Sequence, residues 1–248
     1  MEQKEIFVKS TLDGSLEPSL FYKAEGENRP LLVGLHTWSF DRFNQINNML
    51  PLAEKHDFNL LLPDFRGPNV LGNPQCKKAC GSDFAIQDVK DAIDYCIQNF
   101  AVDDKSIFLL GASGGGQMAL LTASKFPELF LCVGAFVPVC NLVEWQKNSS
   151  YKSHVIACCG DEEEMARRSP VSYVDGLAKA NLKIFHGKHD NVVPRAQSLE
   201  LYSKLIEKYP DAKAYLDIFD GGHSMDMVLA EHWIISQYKK LQTNKVTG

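Results

Sequence analysis

No stretch of the chain approaches the roughly 20 consecutive apolar residues that a membrane-crossing helix needs. The opening residues, Met1-Glu2-Gln3-Lys4-Glu5-Ile6-Phe7, lack the apolar core of a secretory signal, so the cytoplasm is the expected compartment and a membrane is not an expected partner. Positive charge is in deficit, with 26 Lys and Arg against 31 Asp and Glu and a net charge of −5. Nucleic acid is therefore excluded as a main partner, because phosphate binding needs a basic face. Cysteine is modest and irregular: seven residues, an odd number, with no Cys-x-x-Cys and no His-x-x-x-His spacing. That pattern makes neither a disulfide framework nor a metal site. Cys132, Cys140, Cys158 and Cys159 lie among apolar or small residues and read as buried hydrophobes. Cys76 and Cys80 sit four apart in a polar loop and read as free thiols, with a mutual disulfide as the alternative. There is no internal repeat and no low-complexity tract.

What remains is a chain of 248 residues, 45% hydrophobic and 23% charged, which suits one large α/β domain over residues 1–248. Alternating segments at 5–9 and 20–24, separated by Asp13-Gly14, predict two half-exposed antiparallel strands. Continuous apolar runs at 31–36, 58–62, 107–110, 131–137 and 182–186 predict strands covered on both faces. A further strand is expected at 214–219. Between them, helical spacing predicts helices over 45–56, 84–100, 114–126, 195–209 and 225–241, with Asn44 and Ser82 or Asp83 as caps. Buried strands alternating with helices give a mostly parallel central sheet with helices on both faces and an antiparallel N-terminal edge. The stretch 138–180 reads as an irregular insertion over the site, with a short helix at 141–146 and a solvated acidic run, Glu162-Glu163-Glu164.

One junction stands out. The apolar run Ile107-Phe108-Leu109-Leu110 stops at Gly111-Ala112-Ser113-Gly114-Gly115-Gly116 and passes at once into a helix-forming run. A Gly-x-Ser-x-Gly turn between strand and helix lifts the serine to the apex of a strained bend, with the positive end of the helix beneath it. In parallel sheets, sites form at the carboxyl ends of strands, and Ser113 is at such an end. A serine hydroxyl needs a base to take its proton, and the imidazole needs a carboxylate to hold its tautomer. Two other strand ends supply them: Asp190 follows the strand at 182–186, and His223 follows the strand at 214–219. His186 and His189 are rival bases but lie on the acid's own loop, and Asp226 is a rival acid better placed to stabilise the final helix. Two oxyanion donors are also required. The backbone N–H of Gly114, just after the serine, is one; the backbone of Trp38 is the first choice for the other, and Thr37 the second.

With these residues assembled, the chain resembles the α/β-hydrolase superfamily over nearly its whole length, and within it the single-domain relatives of the prolyl oligopeptidase catalytic domain. The elbow is matched by Gly111 to Gly116, the acid loop by His186 to Pro194, the base loop by Gly222-His223, and a family Arg-Gly by Arg66-Gly67. Thr37 stands where the family's oxyanion loop often has glycine. The propeller of true oligopeptidases has no counterpart in these residues, so the resemblance implies a serine hydrolase of carboxylic esters rather than a peptidase. Small acyl or carbohydrate esters of the acetyl and feruloyl type are the implied substrates, and peptidase or aminopeptidase activity on small peptides is the alternative. A binding protein without catalysis is disfavoured by the complete triad. Trp38, Phe40 and Trp145 are the expected walls for the substrate. The chemistry asks for no metal or organic cofactor.

Overall fold

The computed structural model describes the backbone of residues 1–247 and the side chains up to residue 243. Its strands are β1 (Glu2–Lys9), β2 (Leu16–Lys23), β3 (Arg29–Leu35), β4 (Asn59–Pro63), β5 (Val102–Ala112), β6 (Cys132–Phe136), β7 (Leu182–Gly187) and β8 (Ala214–Phe219). They form one sheet in the order β1-β2-β4-β3-β5-β6-β7-β8. β1, β2 and β4 pair antiparallel, and every pairing from β4 through β3 to β8 is parallel. The antiparallel edge and parallel body expected from the sequence are both present.

The helices are α1 (Ile46–His56), α2 (Asp83–Asn99), α3 (Gly114–Lys125), α4 (Leu142–Asn148), α5 (Lys152–Cys159), α6 (Glu162–Arg167), α7 (Val174–Leu177), α8 (Ala196–Lys208) and α9 (Met227–Thr247). In β5, Ile107 and Leu109 face one core while Phe108 and Leu110 face the other, which is the two-residue alternation of a strand buried on both sides. α2, α3, α7 and α8 cover the first face, and α1 and α9 the second. α2 starts where Ser82 accepts a hydrogen bond from the Ala85 N–H at 3.2 Å, so Ser82 is the cap. α3 differs from α2 in being buried all round from Gly114 to Ala123, as the helix behind a central strand must be. Each fully buried Leu or Phe in these layers contributes about 1.5–3 kcal/mol of transfer free energy.

Two expectations are corrected. Asn44 does not cap α1, whose preceding residue Gln45 makes no capping bond either. The stretch 138–180 is largely helical, because short helices with their own caps leave no periodicity to read. Asn141 accepts from the Glu144 N–H at 3.2 Å and Asp161 from the Glu164 N–H at 2.8 Å. The acidic run forms the first turn of α6, where carboxylates meet the positive helix end. All seven cysteines are free thiols. Cys76 and Cys80 are not joined to one another; the Cys80 sulfur lies 3.9 Å from that of Cys159 instead.

Candidate active site

Ser113 occupies the single residue between β5 and α3, at φ 55° and ψ −118°. A non-glycine residue with positive φ costs on the order of 1–3 kcal/mol and persists only where its surroundings hold it. Here the Ser113 N–H donates to the Phe136 carbonyl at 2.9 Å, and its own carbonyl accepts from the Gln117 N–H at 3.0 Å. Neighbouring strand β6 and the first turn of α3 thus clamp the bend from both sides.

The loops after β7 and β8 meet beside it. Asp190 Oδ2 accepts a hydrogen bond from His223 Nδ1 at 2.7 Å. Its other oxygen accepts the N–H groups of Val192 at 2.8 Å and Val193 at 2.9 Å. Burial by itself would raise the Asp190 pKa. Hydrogen bonds from His186, His223, Val193 and Val192 outweigh burial and hold the carboxyl well below the usual carboxylate range. The two loops are also stitched through their backbones, Lys188 N–H to the Phe219 carbonyl and His189 N–H to the Gly221 carbonyl, each at 2.9 Å. His223 has Nδ1 committed to Asp190, and His223 and Ser113 line one cavity of about 290 Å³.

Of the rival residues, His186 touches the carboxylate, its Nε2 3.4 Å from Asp190 Oδ2, but does not line the cavity with Ser113. His186 is fully buried, with its nitrogens 2.7 Å from Ser198 Oγ and 2.9 Å from the Val193 carbonyl. His189 pairs with Asp220 at 3.0 Å on the surface. Asp226 accepts the N–H groups of Val228 and Leu229 and so caps α9, which begins at Met227 rather than Met225.

On the opposite side, a Cβ added to Gly114 would lie 3.0 Å from the Trp38 backbone nitrogen, so the two backbone segments run side by side. The Thr37 N–H donates to Asn44 Oδ1 at 3.0 Å, whereas the Trp38 N–H has no partner among the described residues. Of the two candidate donors, Trp38 is therefore the free one. The loop is braced by His36, whose nitrogens lie 2.9 Å from the Thr37 carbonyl and 2.8 Å from that of Asp64. Asn69 N–H holds the Trp38 carbonyl at 2.8 Å.

None of Trp38, Phe40 and Trp145, the three expected aromatic walls, lines this cavity. Phe40 is 55% exposed, and Trp145 is 4% exposed with its indole N–H on the Val192 carbonyl at 3.0 Å. Trp38, Trp145 and Tyr151 form an aromatic cluster behind the oxyanion and acid loops, with Trp38 edge-on to the other two. Residues of 138–180 pack with Trp38 and Val193 in one apolar cluster, and Glu144, Trp145 and Asn148 line a second cavity with Asn191, Val192 and Pro194. The walls of the Ser113 cavity are instead Thr37, Asn44, Gln45, Asn48, Ala112, Val137, Ser224 and Met225. Sequence reasoning missed the three carboxamides. Their only signal was that an amide cluster opens α1 directly after the oxyanion loop.

Residues 44–240 match the prolyl oligopeptidase family. The chain belongs to this family. The acylamino-acid-releasing enzyme of Mus musculus is 28% identical over an alignment of 166 positions that covers 61% of this chain and 22% of that protein. Acylamino-acid-releasing enzyme 2 of Oryza sativa subsp. japonica is 26% identical over 221 residues, covering 79% of this chain and 28% of its own length. The chain therefore spans less than a third of these relatives. Among solved structures, FphF, a fluorophosphonate-binding serine hydrolase of Staphylococcus aureus, superposes with a TM-score of 0.75 at 15% identity, over 95% of this chain and 98% of that one. The acylaminoacyl peptidase of Pyrococcus horikoshii gives 0.71 at 20% identity, over 90% and 38%. These likenesses establish the α/β-hydrolase fold. No helix among the described residues is long and apolar enough to cross a membrane, and no group of three His, Cys, Asp or Glu among them could hold a metal ion.

Proposed function

We propose that this member of the prolyl oligopeptidase family is a serine hydrolase that cleaves small carboxylic esters through an acyl-serine. The observation that carries the reading is the strained Ser113 sharing one cavity with a His223 already bonded to Asp190. In this reading His223 Nε2 takes the Ser113 proton as Oγ attacks the ester carbonyl, then gives it to the departing alcohol as the ester C–O bond breaks and the acyl-serine forms. Asp190 holds the tautomer and steadies the imidazolium that forms. The N–H groups of Gly114 and Trp38 receive the oxyanion, and water releases the acyl group by the same steps in reverse. A cavity of about 290 Å³ suits an acyl group of modest size, at the lower end of ordinary ligand sites.

A second reading, removal of acylated amino acids or short units from small peptides, is favoured by the similarity to acylamino-acid-releasing enzymes. Rates on 4-nitrophenyl acetate, on acetylated and feruloylated sugars, and on N-acetylalanyl 4-nitroanilide, measured side by side, separate the two. Faster cleavage of the anilide than of every ester refutes the esterase reading. Covalent labelling by a fluorophosphonate, lost in Ser113→Ala, is expected in either case; labelling that survives the substitution refutes Ser113 as nucleophile.

A further inference from the structure

Three carboxamides run along one wall of the cavity, bonded head to tail. Asn48 Nδ2 donates to Gln45 Oε1 at 3.0 Å, Gln45 Nε2 donates to Asn44 Oδ1 at 2.8 Å, and the same Asn44 oxygen takes the Thr37 N–H at 3.0 Å. The Asn44 backbone is itself pinned, its N–H donating to the Asp41 carbonyl at 3.0 Å. Gln45 is 3% exposed, so the middle of the row is fixed by burial. Asn44 Nδ2 bonds to nothing among the described residues. Apart from His223, no ionisable side chain among the described residues lines the cavity.

The row ends on the loop that matters for an oxyanion. The Thr37 carbonyl and the Trp38 N–H share one rigid peptide plane, so whatever fixes that plane aims the N–H. His36 and the Phe40 N–H hold that plane directly through the Thr37 carbonyl, while Asn44 holds the preceding peptide plane through the Thr37 N–H and so fixes the Cα from which the donor plane hangs. We propose that Asn44 is the positioning residue of the oxyanion loop, and that the Asn44-Gln45-Asn48 row receives an uncharged, carbonyl- or hydroxyl-bearing group of the substrate. This inference rests on the serine-hydrolase reading. A carboxylate-bearing acyl group would be desolvated in this cavity with only neutral amide donors to meet it and no cation to neutralise it.

The test uses the whole protein and three substitutions. Asn44→Ala removes the clamp; Asn44→Asp keeps an acceptor for Thr37 but sets a negative charge beside the developing oxyanion; Asn48→Leu alters the row far from the loop. For 4-nitrophenyl acetate, both Asn44 variants should lose about 10- to 100-fold in kcat with KM changed by no more than about threefold, because a displaced donor is felt in the transition state. Labelling by the fluorophosphonate should slow by the same factor, while thermal unfolding of Asn44→Asp stays near that of the wild type. A purely structural role would instead lower the unfolding temperature and leave the rate per folded molecule intact. On 4-nitrophenyl esters of N-acetylglycine and of succinic acid, the wild type should prefer the neutral acyl group by roughly tenfold or more, and Asn48→Leu should reduce that preference. Wild-type rates in both Asn44 variants overturn the positioning role, and a preference for the succinyl ester overturns the substrate class. Each of those failures leaves the nucleophile standing; a wild-type protein that takes no fluorophosphonate label overturns the serine-hydrolase reading and this inference with it.

Discussion

Replacing Asp190 by asparagine tests the proposed site with little disturbance of its shape. The carbonyl oxygen of the introduced amide could still accept the N–H groups of Val192 and Val193 that now bind Asp190 Oδ1 at 2.8 and 2.9 Å. The amide NH₂ would then face His223 Nδ1, which lies 2.7 Å from Oδ2 in the wild type. Two donors cannot face each other, so the imidazole must move its proton to Nε2, the atom that has to accept from Ser113. At 2.7 Å, a carboxylate and an imidazolium attract by about 6 kcal/mol for an effective dielectric of 20. Loss of most of that term corresponds to about 10⁴-fold in kcat at 1.36 kcal/mol per decade. Turnover of 4-nitrophenyl acetate and the rate of fluorophosphonate labelling should both fall by that order, with thermal unfolding shifted by only a few degrees. A variant that keeps more than about a tenth of the wild-type rate refutes the role of Asp190. A pH signature goes with it. The Asp190 pKa is depressed in the fold, so the stability it contributes is complete above the ordinary carboxylate pKa and is lost as pH falls through the lower folded value. The stability gap between wild type and Asp190→Asn should therefore stay constant from neutral pH down to the ordinary carboxylate range and narrow only below it.

Two further outcomes are expected. Arg66 is fully buried and holds Asp88 at 2.6 Å and Asp13 at 2.8 Å, with Asp88 itself nearly inaccessible, so Arg66→Met strands a buried carboxylate. Urea unfolding should show a loss of about 3–5 kcal/mol, and a loss under about 1 kcal/mol would show that the cluster is not structural. In Gly187→Ala the new methyl would collide with the Gly222 carbonyl oxygen, pushing the His223 loop away from Asp190. Displacement on the scale of an ångström costs about 100-fold in rate, and a fully active variant would show that this loop tolerates the shift.

Much of the site could be read because parallel α/β sheets place function at strand ends, and the strands announce themselves as apolar runs. Ser113, Asp190 and His223 each follow such a run, and their chain order limits the roles they can take. Their convergence needed the stitching of the β7 and β8 loops, which is made by backbone groups and leaves no mark on residue type. The oxyanion side shows the same limit. Residue types leave Thr37 and Trp38 both open as donors, and a hydrogen bond from Thr37 to Asn44 settles which N–H is free.

The aromatic residues depart from expectation for a related reason. Trp145 and Phe40 have the composition of a binding wall, but exposure and contact depend on neighbours far along the chain. Trp145 is held by Val192 and Trp38, while Phe40 projects into solvent. Carboxamides such as Asn44 and Gln45 carry no periodic signal at all, since their use depends on which partner lies within about 3 Å. The sequence by itself determined the strand–elbow–helix, the sheet class and the strand ends that carry Ser113, Asp190 and His223, all of which rest on local conformation and hydrophobic period. Only the tertiary structure decided the free donor, the walls of the cavity and the packing of 138–180, because each is a distance between segments that the chain brings together only on folding.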